Sequence, residues 1–299
     1  MKKLLRFVFV LLVLAAGGGF AFLHLKGGEL ITKRDRRLNE GTPEDLELDY
    51  DNLVLIGQND LELKGYWTLT KEEPKAVVIL VHGIGGNKEQ MMNKADLLAQ
   101  QGYDAILFDG RGHGESQGEH ITYGFYEKED IKRIVDFIKE ENDSIPIGIW
   151  GNSMGGAIAL QALEADERIN FGIVESTFRS LDEVVFEYGK RMAKGVMIKQ
   201  ISDYALKRAA EEANFDPTAV QPIESAKEIE QAVLIAHGDS DKRISVDNAQ
   251  DLFDSLKTEK KELVIVPRAG HLNMMEVGGE GFKSLVMDFV NSQVEALKE

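Results

Sequence analysis

Cysteine is absent from this chain of 299 residues, and proline occurs only six times. Without cysteine the chain cannot form a disulfide, a thiolate metal site, a cysteine nucleophile or an acylated N-terminal cysteine. The H-E-x-x-H zinc motif, the phosphate-binding G-x-x-x-x-G-K-[ST] loop and the dinucleotide-binding G-x-G-x-x-G turn are also missing. We therefore expect neither a metal nor an organic cofactor. The hydrophobic fraction of 43% is typical of a globular protein with a sizeable core.

Positive charge is concentrated at the N-terminal end of the chain. Eight basic and two acidic side chains give residues 1–37 a net charge of +6. Because the whole chain carries −16, residues 38–299 carry −22. An acidic body of this kind repels the phosphates of nucleic acids. Nucleic acid is therefore not an expected partner, and the composition does not indicate an oligomeric state.

An uncharged apolar segment, Phe7–Leu25, follows three basic residues near the N-terminus. Nineteen apolar residues in a helix are long enough to span the hydrocarbon core of a bilayer. Residues 1–25 are therefore predicted to be a membrane anchor, with the folded domain outside the cytoplasm. The alternative is a signal peptide cleaved near Gly19, which would give a secreted or periplasmic protein. The charged residues 26–45 are predicted to be a linker, and residues 46–299 the folded domain.

From residue 46 onward, apolar runs typical of buried strands alternate with stretches of helical periodicity. The predicted strands are Leu46–Ile56, Leu61–Leu69, Ala76–Val81, Ala105–Asp109, Ile145–Trp150, Ile169–Glu175, Ala232–Ala236 and Leu263–Val266. The predicted helices are Met91–Gln101, Glu129–Glu141, Met154–Ala165 and Phe282–Leu297. An alternation of this kind predicts an α/β fold with a mostly parallel sheet of eight strands, flanked by helices.

About fifty residues of helical character, 178–230, interrupt this alternation between two strands. A parallel crossover needs only about a dozen residues. The surplus is predicted to be a helical cap over the carboxyl edge of the sheet, where ligands of open α/β sheets bind. The alternative is a pair of helices packed away from any site. The apolar residues of this stretch suggest a site for a hydrophobic chain of a ligand, and they include Val184, Phe186, Met192, Val196 and Met197.

The sequence Gly151-Asn152-Ser153-Met154-Gly155-Gly156 connects a predicted strand to a predicted helix. In this context G-x-S-x-G is the sharp turn that exposes a nucleophilic serine above a sheet. The flanking glycines lack the Cβ atoms that would clash in so tight a turn. Ser153 is therefore the predicted nucleophile.

A serine hydroxyl needs a neighbouring base, and in this fold the base follows the serine and the acid in the chain. Of the two histidines after Ser153, His271 follows the last predicted strand and is the predicted base. Asp241 is the favoured acid, with Asp239 and Glu175 as alternatives. The acid's role is to orient the imidazole and to stabilise its charged form.

Acyl transfer also requires hydrogen-bond donors for the oxyanion of the tetrahedral intermediate. One donor is predicted to be the backbone N–H of Met154, directly after the serine. The second is predicted to be the backbone N–H of Ile84, in the glycine-rich loop that follows the strand Ala76–Val81. His82 in this loop is predicted to brace it.

Taken together, these motifs resemble the α/β-hydrolase superfamily, in particular the S33 aminopeptidase-like and Bem46-like bacterial serine hydrolases. The matching segments are HGIGGN at 82–87, DGRGHGES at 109–116, GNSMGG at 151–156, HGDSD at 237–241 and AGH at 269–271. The resemblance implies a catalytic triad of Ser153, Asp241 and His271. It also implies structural roles for further polar residues, namely Asp109, Arg111, His113 and Ser116.

The predicted function is hydrolysis of carboxylic esters through an acyl-enzyme, on a small acyl substrate. A peptidase, thioesterase or acyltransferase with the same triad is an alternative, because a fold fixes the catalytic groups and not the substrate. A non-catalytic, membrane-tethered binding protein is a more distant alternative.

Overall fold

The computed structural model describes the backbone of residues 2–38 and 40–298, and the side chains of residues 17–38 and 40–298. Its centre is one sheet of eight strands. The strands are β1 (Asp49–Ile56), β2 (Glu62–Leu69), β3 (Val77–Val81), β4 (Asp104–Phe108), β5 (Ile147–Asn152), β6 (Phe171–Glu175), β7 (Ala232–Gly238) and β8 (Lys261–Val266). Each of the eight predicted strands overlaps one of these.

The order of strands across the sheet is β1-β2-β4-β3-β5-β6-β7-β8. The first three strands in this order pair in antiparallel fashion, and all later neighbours are parallel. The central strands β3 to β7 are buried along their whole length because helices cover both faces. The prediction of a mostly parallel sheet flanked by helices is therefore confirmed.

The helices divide into layers on the two faces of the sheet. They are α1 (Lys2–Thr32), α2 (Met92–Ala99), α3 (Glu127–Glu141), α4 (Met154–Ala165), α5 (Leu181–Met192), α6 (Lys199–Ala213), α7 (Pro222–Ala226), α8 (Asp247–Ser255) and α9 (Met274–Ala296). Helices α3, α4 and α8 pack on one face, and α2 and α9 pack on the other. The apolar stripe of α3 is fully buried, and it comprises Ile131, Ile134, Val135 and Ile138.

Two helices differ from the prediction. Helix α8 was not predicted, because it is only nine residues long and buries only Ala249 and Leu252. Helix α9 begins at Met274 instead of Phe282, and it is broken at Gly279, where φ is +56°. The glycine-rich stretch 278–281 interrupts the apolar periodicity, which is why the sequence pattern indicated only the later part of this helix.

The N-terminal helix α1 continues to Thr32, seven residues past the predicted end of the anchor at residue 25. Its second half packs against α6, where Gly27 lies next to Ala205. Its end is held by hydrogen bonds: the backbone N–H of Ile121 donates to Thr32 O (2.8 Å), and Tyr123 Oη donates to Ile31 O (2.8 Å).

Among the residues that the structure describes, no helix is both long and apolar enough to cross a membrane. The anchor or signal segment predicted over residues 7–25 is therefore not supported by the structure. The side chains of residues 7–16 lie outside the described part of the chain. The location outside the cytoplasm depended on this segment and stays a prediction.

Candidate active site

Ser153 lies in the turn between β5 and α4, with φ +55° and ψ −119°. A positive φ is uncommon for a residue with a side chain, and here the close packing of the turn enforces it. A Cβ on Gly151 would lie 2.1 Å from Gly155 O, and a Cβ on Gly155 would lie 2.1 Å from Val81 O. Only glycine fits at these two positions. The backbone N–H of Ser153 donates to Glu175 O (2.8 Å), which ties the turn to the next strand.

Three side chains from distant loops form a continuous hydrogen-bonded chain. His271 Nε2 lies 2.9 Å from Ser153 Oγ, and His271 Nδ1 lies 2.7 Å from Asp241 Oδ2. Asp241 follows β7 and His271 follows β8, so that neighbouring parallel strands end beside the serine. All three side chains are buried or nearly so. The structure thus brings together the three side chains named from the sequence.

The carboxylate of Asp241 is held from both sides. Its Oδ1 accepts hydrogen bonds from the backbone N–H groups of Arg243 (2.7 Å) and Ile244 (3.1 Å). Its Oδ2 lies 3.3 Å from His237 Nε2 in addition to its contact with His271. Burial by itself raises the pKa of Asp241, but the hydrogen bonds to His237 and His271 outweigh it and lower that pKa well below its usual range. The acid therefore stays ionised and can stabilise a positive charge on His271.

The two alternative acids have other partners. Asp239 accepts hydrogen bonds from the backbone N–H of Arg268 (2.6 Å) and from Ser240 Oγ (2.9 Å), which stabilise the turn after β7. Glu175 is buried with Lys94 Nζ at 2.7 Å and accepts a hydrogen bond from the indole of Trp150 at 2.9 Å. Neither carboxylate contacts His271. The geometry therefore favours Asp241.

The loop after β3 lies beside Ser153, since a Cβ on Gly83 would lie 3.3 Å from Ser153 Cβ. Within the described residues, neither Ile84 N–H nor Met154 N–H donates a hydrogen bond to another protein group. His82 braces the loop: its Nδ1 lies 2.8 Å from Gly83 O, and its Nε2 accepts from Gly110 N–H at 2.9 Å. Two free N–H groups beside a nucleophile can stabilise an oxyanion.

The segment after β4 is fixed by buried charged groups. Lys88 Nζ and Asp109 Oδ2 form an ion pair at 2.8 Å, with both side chains almost fully buried. Arg111 and Asp130 form a second buried pair at 2.7 Å. Ser116 Oγ donates to Asp109 O at 2.5 Å. These contacts hold the loop that carries His113 and support the structural roles implied by the resemblance.

A pocket of about 360 Å³ opens above Ser153. Its apolar wall comes from α1, α5 and α6, and includes Leu23, Leu30, Val184, Tyr188, Ile201 and Ala205. Three of the cap residues singled out from the sequence line it, namely Val184, Met192 and Met197, whereas Phe186 and Val196 do not. The contribution of α1 was not predicted, although the spacing of Leu23, Gly27 and Leu30 is that of one helix face. Within residues 2–38 and 40–298, no cluster of three or more His, Asp or Glu side chains is arranged to hold a metal ion.

The eight-stranded sheet, with a serine at the turn between β5 and α4, defines the chain as an α/β hydrolase. The family model described as "Serine aminopeptidase, S33" matches residues 72–221. The protein belongs to this family of hydrolases.

Individual proteins resemble the chain over most of its length. The protein YqkD of Bacillus subtilis (strain 168) is 26% identical over 307 residues, which cover 98% of each chain. A monoacylglycerol lipase of Mycolicibacterium smegmatis is 24% identical and covers 76% of this chain and 90% of its own. The structure of the Pyrococcus furiosus esterase Pf2001 superimposes with a TM-score of 0.74 at 24% identity, over 88% of this chain and 98% of that one. That structural likeness shows a common fold.

Proposed function

We propose that the protein hydrolyses carboxylic esters through an acyl-enzyme formed on Ser153. The observation that carries this proposal is the 2.9 Å contact between Ser153 Oγ and His271 Nε2 at the floor of an apolar pocket. A serine hydroxyl in this contact can lose its proton to the imidazole as it attacks a carbonyl carbon. Asp241 then stabilises the imidazolium through its 2.7 Å contact with Nδ1.

The reaction proceeds in two steps. Ser153 Oγ adds to the ester carbonyl, and the N–H groups of Ile84 and Met154 stabilise the oxyanion. When the intermediate collapses, the C–O bond to the alcohol breaks and His271 donates its proton to the departing alkoxide. Water then loses a proton to the same histidine, attacks the acyl-enzyme, and releases the carboxylic acid and the free serine.

The composition of the pocket favours an ester with a hydrophobic acyl chain over a peptide. An aminopeptidase must hold the positively charged α-amino group of its substrate, and a carboxylate is the natural partner for it. No Asp or Glu lines the pocket among the described residues, and Arg34 in its wall would repel an ammonium group. The monoacylglycerol lipase named above acts on such esters, which supports this choice.

We further propose that residues 178–230 act as a cap over the site. Helices α5 and α6 lie in this stretch, and both contribute side chains to the pocket above Ser153. Helix α6 contacts both α5 and α1, and side chains of all three helices line the pocket. This arrangement supports a cap more than it supports two helices packed away from the site.

The test is a substrate panel with a matched inactive variant. p-Nitrophenyl esters from acetate to laurate, aminoacyl p-nitroanilides and acyl thioesters are compared with wild-type protein and with Ser153→Ala. We expect ester turnover to dominate and Ser153→Ala to abolish it while the melting temperature stays close to wild type. A dominant anilide or thioester activity would replace the ester assignment. No turnover of any substrate by folded wild-type protein would favour the binding-protein alternative.

A further inference from the structure

Arg34 is the only basic residue that lines the pocket above Ser153, among the side chains that the structure describes. It lies two residues beyond the end of α1 and shares the pocket wall with Ile84, Tyr123 and Ser153. The remaining wall is almost entirely apolar. A cation in such surroundings interacts more strongly with an anion than it would in water.

The guanidinium of Arg34 has no acidic partner within ion-pair distance in the described part of the chain. Its Nη1 donates to the backbone carbonyls of Leu30 (2.7 Å) and Lys33 (2.6 Å), which leaves Nε and Nη2 available. Two lysines of this segment have acidic partners, Lys26 with Glu29 at 2.6 Å and Lys33 with Glu119 at 3.6 Å, whereas Arg36 donates to backbone carbonyls outside the pocket. The protein has a net charge of −16, yet this arginine in the wall of the pocket above Ser153 has no acidic partner. Its free N–H groups are therefore suited to bind an anionic ligand.

The backbone on both sides of Arg34 is fixed. Before it, Ile31 O and Thr32 O accept hydrogen bonds from the 121–123 loop. After it, the guanidinium of Arg36 donates to the backbone carbonyls of Ser116 and Gly118. Arg34 also contributes to lowering the pKa of His113, after the larger effects of burial and of His82, which places its charge close to the oxyanion loop. The cation is therefore positioned in advance of substrate binding.

We propose that Arg34 binds an anionic group, a phosphate or a carboxylate, on the ester substrate close to the scissile bond. This inference rests on the proposed ester hydrolysis and narrows its substrate class to amphipathic anionic esters. The N–H donors of a guanidinium are spaced to bind two oxygens of a phosphate or carboxylate at once. These hydrogen bonds are strengthened by the opposite charges of the two groups. The apolar wall then holds the hydrocarbon part of the same molecule.

The experiment compares matched neutral and anionic esters. In the first pair, monoacylglycerol and monoacylglycerol phosphate, the anionic ester carries its charge on the alcohol part. In the second pair, p-nitrophenyl butyrate and p-nitrophenyl hemisuccinate, the anionic ester carries its charge on the acyl part. We expect wild-type protein to favour the anionic member of one pair, and Arg34→Gln to lower kcat/KM for that ester by about 10- to 100-fold. The deciding readout is the ratio of kcat/KM for the anionic ester to that for the neutral ester, because a general change in the pocket would affect both esters alike.

Two further variants separate substrate binding from a structural role. Arg34→Lys keeps the charge and should retain part of the anionic preference. Lys33→Gln removes an adjacent positive charge outside the pocket and should leave the ratio of anionic to neutral turnover unchanged. An unchanged ratio of anionic to neutral turnover in Arg34→Gln would overturn the proposal. If turnover of both esters fell equally, Arg34 would have only a helix-capping role. Failure of the proposed function is distinguishable, because wild-type protein would then hydrolyse neither member of either pair.

Discussion

Acidification should destabilise this protein through His113, a histidine buried in its neutral form. Its side chain is 1% exposed, with Nδ1 3.0 Å from Arg111 O and Nε2 accepting from Gly85 N–H at 3.1 Å. A neutral imidazole with its proton on Nδ1 satisfies both contacts, whereas a protonated one loses the bond from Gly85. Burial, and after it the proximity of His82, lowers the pKa of His113 from 6.5 to about 3.

The direction and size of the effect follow from linkage between protonation and folding. Well above pH 6.5 the imidazole is neutral in both the folded and the unfolded chain, so that protonation does not reduce the free energy of unfolding. Between pH 6.5 and 3 only the unfolded chain takes up the proton, so the free energy of unfolding falls as pH falls. From pH 7.5 to pH 5 the loss is about 2 kcal/mol for this one group. The pKa of buried His82 is also lowered, by burial, and adds a loss of the same sign.

Urea unfolding at pH 7.5 and pH 5 measures this loss directly. The matched control is His113→Gln, whose amide offers a donor and an acceptor but does not titrate. All other titrating groups are common to the two proteins, so the difference between their pH dependences isolates His113. We expect wild type to lose about 2 kcal/mol more than the variant between these two pH values. Equal pH dependence in the two proteins would refute the reasoning, as would a wild-type protein that is more stable at pH 5.

Three further substitutions test the site and its support. Asp241→Asn should lower kcat for ester hydrolysis by about 10³- to 10⁴-fold, whereas the control Asp239→Asn should change it less than about threefold. Equal effects of the two substitutions in steady-state assays would contradict the assignment of Asp241 as the acid. Ala205→Phe fills the pocket and should shift preference toward short acyl chains; an unchanged profile across a p-nitrophenyl ester series would exclude chain binding there. Asp109→Asn leaves buried Lys88 with only the half-exposed Glu115, at 2.6 Å, as an ion-pair partner. It should cost about 2–3 kcal/mol in denaturant unfolding, and a cost below about 1 kcal/mol would contradict this role.

The sheet was predictable because its strands have a simple signature. Strands covered on both faces are apolar along nearly their whole length, and the run that forms β3 is short and rich in β-branched residues, which favours a strand over a buried helix. The packing of α1 was not predictable in the same way. An uncharged apolar helix can be buried in a bilayer or packed against another part of the protein, and its sequence does not distinguish the two. Only the positions of Leu23, Gly27 and Leu30 in the folded chain show that the second half of α1 forms a wall of the pocket.

The candidate site was predictable to the level of residue type and chain order. Ser153 and His271 occupy the ends of particular elements, and the sequence shows where those elements end. The choice among the three acids depends on which carboxylate contacts His271 in the folded chain. The sequence does not give that spatial distance. The contact between His237 and Asp241 and the placement of Arg34 in the pocket depend on the same long-range packing.

Covalent labelling tests the central claim most directly, since it asks whether Ser153 is an activated nucleophile. Folded wild-type protein is treated with diisopropyl fluorophosphate, and the adduct is mapped by mass spectrometry, with Ser153→Ala and His271→Ala treated in parallel. The proposed mechanism predicts one phosphoryl adduct on Ser153, slow labelling in His271→Ala and none in Ser153→Ala. An adduct on another residue, or no adduct in folded wild-type protein, would contradict it.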